Sequence, residues 1–144
     1  MKKVYPVIFT ETENNILIEV PDLNILTEAN EEGKEKASFA DAIMMARDAI
    51  GLSCISTEDE GEPIAEASLL SEIDISKGAF AEVGIGVVSF VDVNLTEYRR
   101  RVENKTVRRN VTLPNWLNKE AEAANLNVSK VLQDALVQKL EIKA

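Results

Sequence analysis

Three side chains able to make directional hydrogen bonds recur at every second position near the end of the chain: Arg108, Asn110 and Thr112, within the run VRRNVTL. Successive side chains of an extended strand point to opposite faces. The guanidinium, carboxamide and hydroxyl therefore share one face, and Val107, Val111 and Leu113 share the other. Arg109 falls on the apolar side by alternation and is read as a contact to phosphate or to an acidic neighbour. Arginine matches guanine, asparagine matches adenine, and a two-stranded ribbon fits the major groove of DNA. The chemistry of this segment is recognition of a nucleic acid, not bond making.

Two short helical patterns must position that strand. Pro114 supplies the fixed φ suited to a first helical turn, and Leu117, Ala121 and Ala124 then recur on one face. Asn125-Leu126-Asn127 reads as a turn, with Asn127 capping a second helix whose apolar face is Val131, Leu132, Ala135, Leu136 and Leu140. About forty residues lie short of a self-sufficient core. Two copies, however, would join their strands into an antiparallel ribbon and merge four helices. The expected dimer core is Val111, Leu113, Leu117, Val131, Leu132, Ala135 and Leu136. Backbone N–H groups near Val128, Ser129 and Lys130 are then placed to hold a phosphate. The plainer alternative is a strand and an αα-hairpin packed on the rest of the chain, which leaves the polar strand face unexplained.

The whole chain carries a net charge of −9, but unevenly. Residues 1–98 hold 6 Lys/Arg against 20 Asp/Glu, a net of −14, and residues 99–144 hold 10 against 5, a net of +5. An acidic body on a basic tail suggests one cationic and one anionic partner; a solvated acidic surface is the alternative. Histidine is absent, which removes Ser-His and Cys-His catalysis, His-ligated zinc and a His switch. Cys54 is the single cysteine and reads as a small core residue. No cofactor or metal site is expected. With no signal-peptide h-region and no apolar run of spanning length, a soluble cytoplasmic protein is expected.

Upstream, the pattern predicts strands over 3–10 and 16–21 joined at Glu13-Asn14-Asn15, and a short strand over 25–29. Pro6 places the first strand at an edge or turns its nitrogen outward. The charged stretch 28–36 reads as a loop. Ser38 is an N-cap for a helix carrying Phe39, Ile43, Ala46 and Ile50, and Gly51 is expected to end it. The acidic stretch 56–71 reads as an exposed loop with a helical turn near 65–70. A last strand over 80–93 is expected to bend at Gly84 and Gly86. The fold class is α+β, organised as an acidic domain over 1–95 (β-β-β-α-β), a basic linker or hinge over 96–106, and a dimerising β-α-α domain over 107–144.

The terminal segment resembles the ribbon–helix–helix family of Arc- and MetJ-like repressors. The resemblance implies that Arg108, Asn110 and Thr112 point at base edges and that Asn127, Ser129 and Lys130 clamp the backbone. The whole chain resembles the HicB antitoxins, through YPVIFTETENNILIEVPDL, SFADAIMMARDAIGL, YRRRVENKTVRRNVTLPNWLN and SKVLQDAL. That family joins a small degenerate RNase H-like domain to a DNA-binding domain. The segment NILTEANEEGKEKASF is longer and more charged than the family pattern.

The HicB resemblance implies an antitoxin of a type II toxin–antitoxin system, not an enzyme. The acidic domain would bind a small basic HicA-like ribonuclease toxin, through residues the sequence does not identify. The dimer, with a tetramer left open, would bind operator DNA and repress its own operon. Two other readings stay open: a stand-alone regulator with a ligand-sensing first domain, and a metal-dependent nuclease using Asp22, Glu19 and Asp41.

Overall fold

Two prolines decide where the first hairpin stops. Strands β1 (Lys2–Glu11) and β2 (Ile16–Val20) pair antiparallel from Glu11↔Ile16 to Ile8↔Glu19. The next hydrogen-bonded position outward would set Pro6 against Pro21, and neither has an N–H to give. The computed structural model describes residues 1–29 and 36–142, so the loop expected over 28–36 lies mostly outside the described residues. The chain divides into two units, Met1–Lys105 and Thr106–Ala144.

The first unit is a four-stranded antiparallel sheet in the order β3-β2-β1-β4, with β3 over Ile25–Glu28 and β4 over Ile85–Asn94. β1 is thus central, not an edge. Pro6 is tolerated because it lies beyond the stretch paired with β2, on the side that carries no ladder there. Helix α1 (Phe39–Asp59) packs on one face of the sheet, with Ser38 Oγ accepting from the Asp41 N–H as N-cap. The core joins Tyr5, Val7, Phe9, Ile16, Ile18, Val20, Val91 and Val93 of the sheet to Ala42, Ala46, Ile50 and Cys54 of α1.

Helix α1 does not end at Gly51. Ala42, Ala46, Ile50 and Cys54 continue the same buried row at intervals of four, so burial carries the helix through the glycine. It stops at Gly61 (φ +76°), where Glu62 N–H reaches Thr57 O and Gly61 N–H reaches Glu58 O, a Schellman closure. Gly51 instead makes room for a second helix, α2 (Leu95–Val102): a Cβ there would sit 2.7 Å from the Tyr98 ring. Gly51→Ala is expected to cost about 1–2 kcal/mol, the overpacking penalty exceeding the gain in helix propensity. In a Tyr98→Ala background the same change is expected to become neutral or stabilising. Urea midpoints of the four proteins check this.

Helix α2 also revises the expected hinge. Leu95 and Tyr98 are buried in the first unit, so nearly all of the stretch expected as a linker, 96–106, belongs to that unit, which ends at Lys105. Arg99 is held by Glu58 (2.8 Å), Asp59 (2.9 Å) and Glu103 (3.0 Å), and Arg101 lies 5.1 Å over the Tyr98 ring. These arginines belong to the acidic unit. Redrawn at the observed division, the net charges are −11 (10 Lys/Arg against 21 Asp/Glu) and +2 (6 against 4).

Residues 62–84 form a strap, an extended stretch and two 3-10 turns (Leu70–Glu72 and Ile75–Lys77), that leads to the other face of the sheet, where Gly78 lies against Ile8 and Glu19. Four hydrogen bonds pin this strap. Tyr5 Oη donates to Ala65 O (2.6 Å), Ser68 N–H and Oγ donate to Asp22, and Ala79 N–H donates to Glu19 Oε1 (2.9 Å). The strand expected from Phe80 begins only at Ile85. Residues 80–83 form turns before it, and Gly86 fits where a Cβ would meet Ile75 Cγ2 at 2.6 Å.

Burial holds the hydroxyls of Tyr5 and Tyr98 protonated to unusually high pH, Tyr98 to about 12, where the Asp48 carboxylate adds to the effect. The folded state therefore binds these protons more tightly than the unfolded state. Stability is expected to be fully present below the ordinary tyrosine value of 10.0 and to fall as pH rises from there toward 12. Urea unfolding followed across that range checks the sign.

Candidate nucleic-acid interface

The second unit contains helices α3 (Asn115–Ala123) and α4 (Val128–Lys139), with residues 107–114 extended but in no ladder. The expected strand Val107–Leu113 is absent because a strand is defined by its partner, and a single chain supplies none. Pro114 stands as the N-cap of α3 (φ −56°, ψ 143°) instead of within its first turn, and its carbonyl accepts from Asn118 N–H.

The turn between the helices is closed by backbone geometry. Asn125 adopts φ +55°, Leu126 N–H returns to Ala121 O, and Asn125 N–H returns to Glu122 O. Asn127 then caps α4, its Oδ1 accepting from Lys130 N–H at 3.1 Å. That bond occupies one of the three N–H groups expected to meet a phosphate, and leaves those of Val128 and Ser129. The Lys130 ammonium sits 3.7 Å from Asp134, a pair so exposed that it is worth little.

Arg108, Arg109, Asn110 and Thr112 are all exposed, and among the described residues none of these side chains forms a hydrogen bond or ion pair. The apolar set is equally uncovered. Val111, Leu113, Leu117, Val131, Ala135 and Leu136 are exposed and Leu132 is half-buried. Among residues 106–142 none is buried, whereas the first unit has a closed core. Trp116 (63% exposed) and Leu126 (55%) add apolar surface outside the expected core set. Leu126 was hidden in the sequence by its place in a turn, where an apolar side chain carries no periodic signal.

The carboxylates considered for catalysis are dispersed. Asp22 and Glu19 hold the strap, and Asp41 lies in the first turn of α1. Among the described residues no three His, Cys, Asp or Glu side chains are grouped to hold a metal ion. Burial raises the pKa of the Cys54 thiol, which lies 4.0 Å from Tyr5 Oη within the core. The concave surface at α2 is an open groove lined by Met1, Glu58, Leu95, Thr96, Arg99, Arg100 and Glu103.

No family model matches the chain, and no curated protein matches it. Among solved structures, a chain of a toxin–antitoxin complex from Streptococcus pneumoniae matches with a TM-score of 0.59 and 20% identity, over 96% of this chain and 99% of that one. The protein therefore shares its mixed α+β fold, with its four-stranded antiparallel sheet and four helices, with a component of a toxin–antitoxin complex.

Proposed function

We propose that the chain is a HicB-type antitoxin whose second unit is a ribbon–helix–helix dimer bound to operator DNA, and whose first unit neutralises a small basic ribonuclease toxin of the HicA kind. The observation that carries this reading is the second unit's incompleteness. An alternating extended segment without a ladder partner precedes two helices with no apolar side chain fully buried. A second copy repairs both defects at once. The two segments pair as a ribbon, and Val111, Leu113, Leu117, Val131 and Leu136 enter a shared core at about 25 cal/mol per Å² of apolar surface removed from water. The ribbon then presents Arg108, Asn110 and Thr112 twice on its outer face.

The antitoxin part is supported by the shared fold with a toxin–antitoxin component and by the net charge of −11 on the first unit. That charge speeds encounter with a cationic partner and makes it salt-sensitive. The chain itself acts as a binder with a degenerate RNase H-like domain, not as an enzyme, since the carboxylates considered for catalysis serve the strap and a helix start. Among the described residues no helix is long and apolar enough to cross a membrane.

The test is to ask whether a small basic protein is encoded beside the chain and to co-express the two. The expected result is a purified complex, rescue of growth from that protein, and a gel shift on DNA from the shared promoter. Failure to rescue, with a retained gel shift, would leave a stand-alone DNA-binding regulator.

A further inference from the structure

Strand β4 is one edge of the sheet, and its hydrogen-bonding phase can be fixed from the chain itself. Leu95 N–H donates to Met1 O at 2.9 Å, extending a register in which Lys3↔Val93, Tyr5↔Val91 and Val7↔Ser89 follow. In an antiparallel ladder alternate residues turn both main-chain groups to the same side. The odd-numbered residues of β4 therefore bond to β1, and Gly86, Val88, Phe90 and Asp92 turn theirs outward.

Asp92 supports this phase independently: its carbonyl accepts from Arg47 Nε at 2.8 Å, and its carboxylate pairs with Arg47 Nη2 at 3.1 Å. Arg47 thus caps one end of the open edge. Among the described residues nothing comparable covers Gly86, Val88 and Phe90; only the Ser89 hydroxyl approaches the Phe90 carbonyl, at a long 3.4 Å.

The open stretch is also apolar. Ile85 is 78% exposed, Val87 50% and Phe90 51%, and Asp92, already capped, is the one charged residue of β4. An uncovered apolar edge without lysine, proline or inward charge is a template for another strand.

We infer that β4 pairs antiparallel with the β4 of a second copy about a two-fold axis through Val88. This register uses the three open residues and no others. Val88 meets Val88 of the second copy and Gly86 meets Phe90, each narrow pair exchanging two hydrogen bonds. Ile85 falls opposite Val91 and Val87 opposite Ser89. Phe90 stands across from Gly86, where Ile75 of the same chain already fills the space a Cβ would take. Asp92 falls opposite Gly84, so no like charges meet, and Arg47 ends the ladder on both sides. The two sheets become one, leaving the β3 edges outermost. This contact lies wholly in the first unit and is separate from the pairing proposed for the second, so a chain using both closes as a tetramer or continues as an open array.

The register makes the test specific, because only a two-fold at Val88 sets that residue against itself. Full-length Val88→Lys and Val88→Glu are each expected to sediment at half the wild-type mass, and a 1:1 mixture is expected to recover it. Recovery also shows that both variants fold. An unchanged mass for either variant, or a mixture that stays dissociated, would overturn the pairing. Full-length Leu136→Asp probes the second unit in parallel: unchanged mass there would sink the ribbon–helix–helix dimer while leaving the edge pairing standing. Amide exchange at Gly86, Val88 and Phe90 is expected to slow as chain concentration rises. Protection that appears only on adding the toxin would also overturn it, assigning the edge to a strand of that partner.

Discussion

Arg108→Ala combined with Asn110→Ala is expected to lower affinity for operator DNA at least 100-fold while leaving toxin neutralisation unchanged. A good side chain–base pairing supplies about 1–3 kcal/mol of discrimination. Two are removed from each chain, and the dimer presents each twice. At about 1.4 kcal/mol per tenfold change, four such pairings at the low end sum to about 4 kcal/mol, roughly 1,000-fold, so 100-fold is a conservative lower bound. Both side chains are exposed and without partners among the described residues, so their loss leaves no buried group unsatisfied and the fold is undisturbed. Asn110→Ala alone is expected to relax preference at one base position without changing the salt dependence. Arg108→Ala is expected to make the salt dependence shallower if the guanidinium also neutralises phosphate. Gel shifts on operator and scrambled DNA at two salt concentrations separate these effects. Joint loss of DNA binding and neutralisation would mean that the two activities share one surface.

The elements legible in the sequence are those whose signal is local. Alternation in Lys2–Glu11 and Ile16–Val20 and the Ser38 cap all reflect short-range geometry, and each element forms close to where its pattern lies. The errors arose where a distant contact overrode a local signal. Gly51 is a stop signal by propensity, yet it lies mid-helix because Tyr98, from 47 positions later, needs the space above it. Arg99, Arg100 and Arg101 read as a basic tail, yet Arg99 is held by Glu58 and Asp59 of α1. Pro6 allows an edge strand or a nitrogen turned away from the ladder, and the distant pairing selects the second: β1 is central and the missing N–H falls beyond the last β1–β2 pair. For the interface, residue types and phase were readable at Arg108, Asn110 and Thr112. The strand that should carry them needs hydrogen-bond partners that no single chain contains.

A chain ending at Lys105 is expected to fold cooperatively, to bind the toxin as the full chain does, and to lose operator binding by at least three orders of magnitude. All the buried residues among those described lie at or before Tyr98, so removing the second unit uncovers no core. The Tyr5–Ala65, Asp22–Ser68 and Glu19–Ala79 bonds that close the strap are likewise retained. What disappears is the set of residues, Arg108, Asn110 and Thr112, proposed to read the bases. Circular dichroism, calorimetry with the toxin and a gel shift measure the three consequences separately. The assembly state adds a fourth, because the truncated chain keeps the β4 edge and is expected to remain a dimer where the full chain, using both contacts, forms a larger assembly. A truncated chain that still shifts operator DNA would relocate the DNA-binding surface to the acidic unit, against its net charge of −11. A truncated chain that melts without cooperativity would mean that the first unit draws stability from the second. That result would contradict the closed core of Met1–Lys105 and, with it, the separation of the two activities.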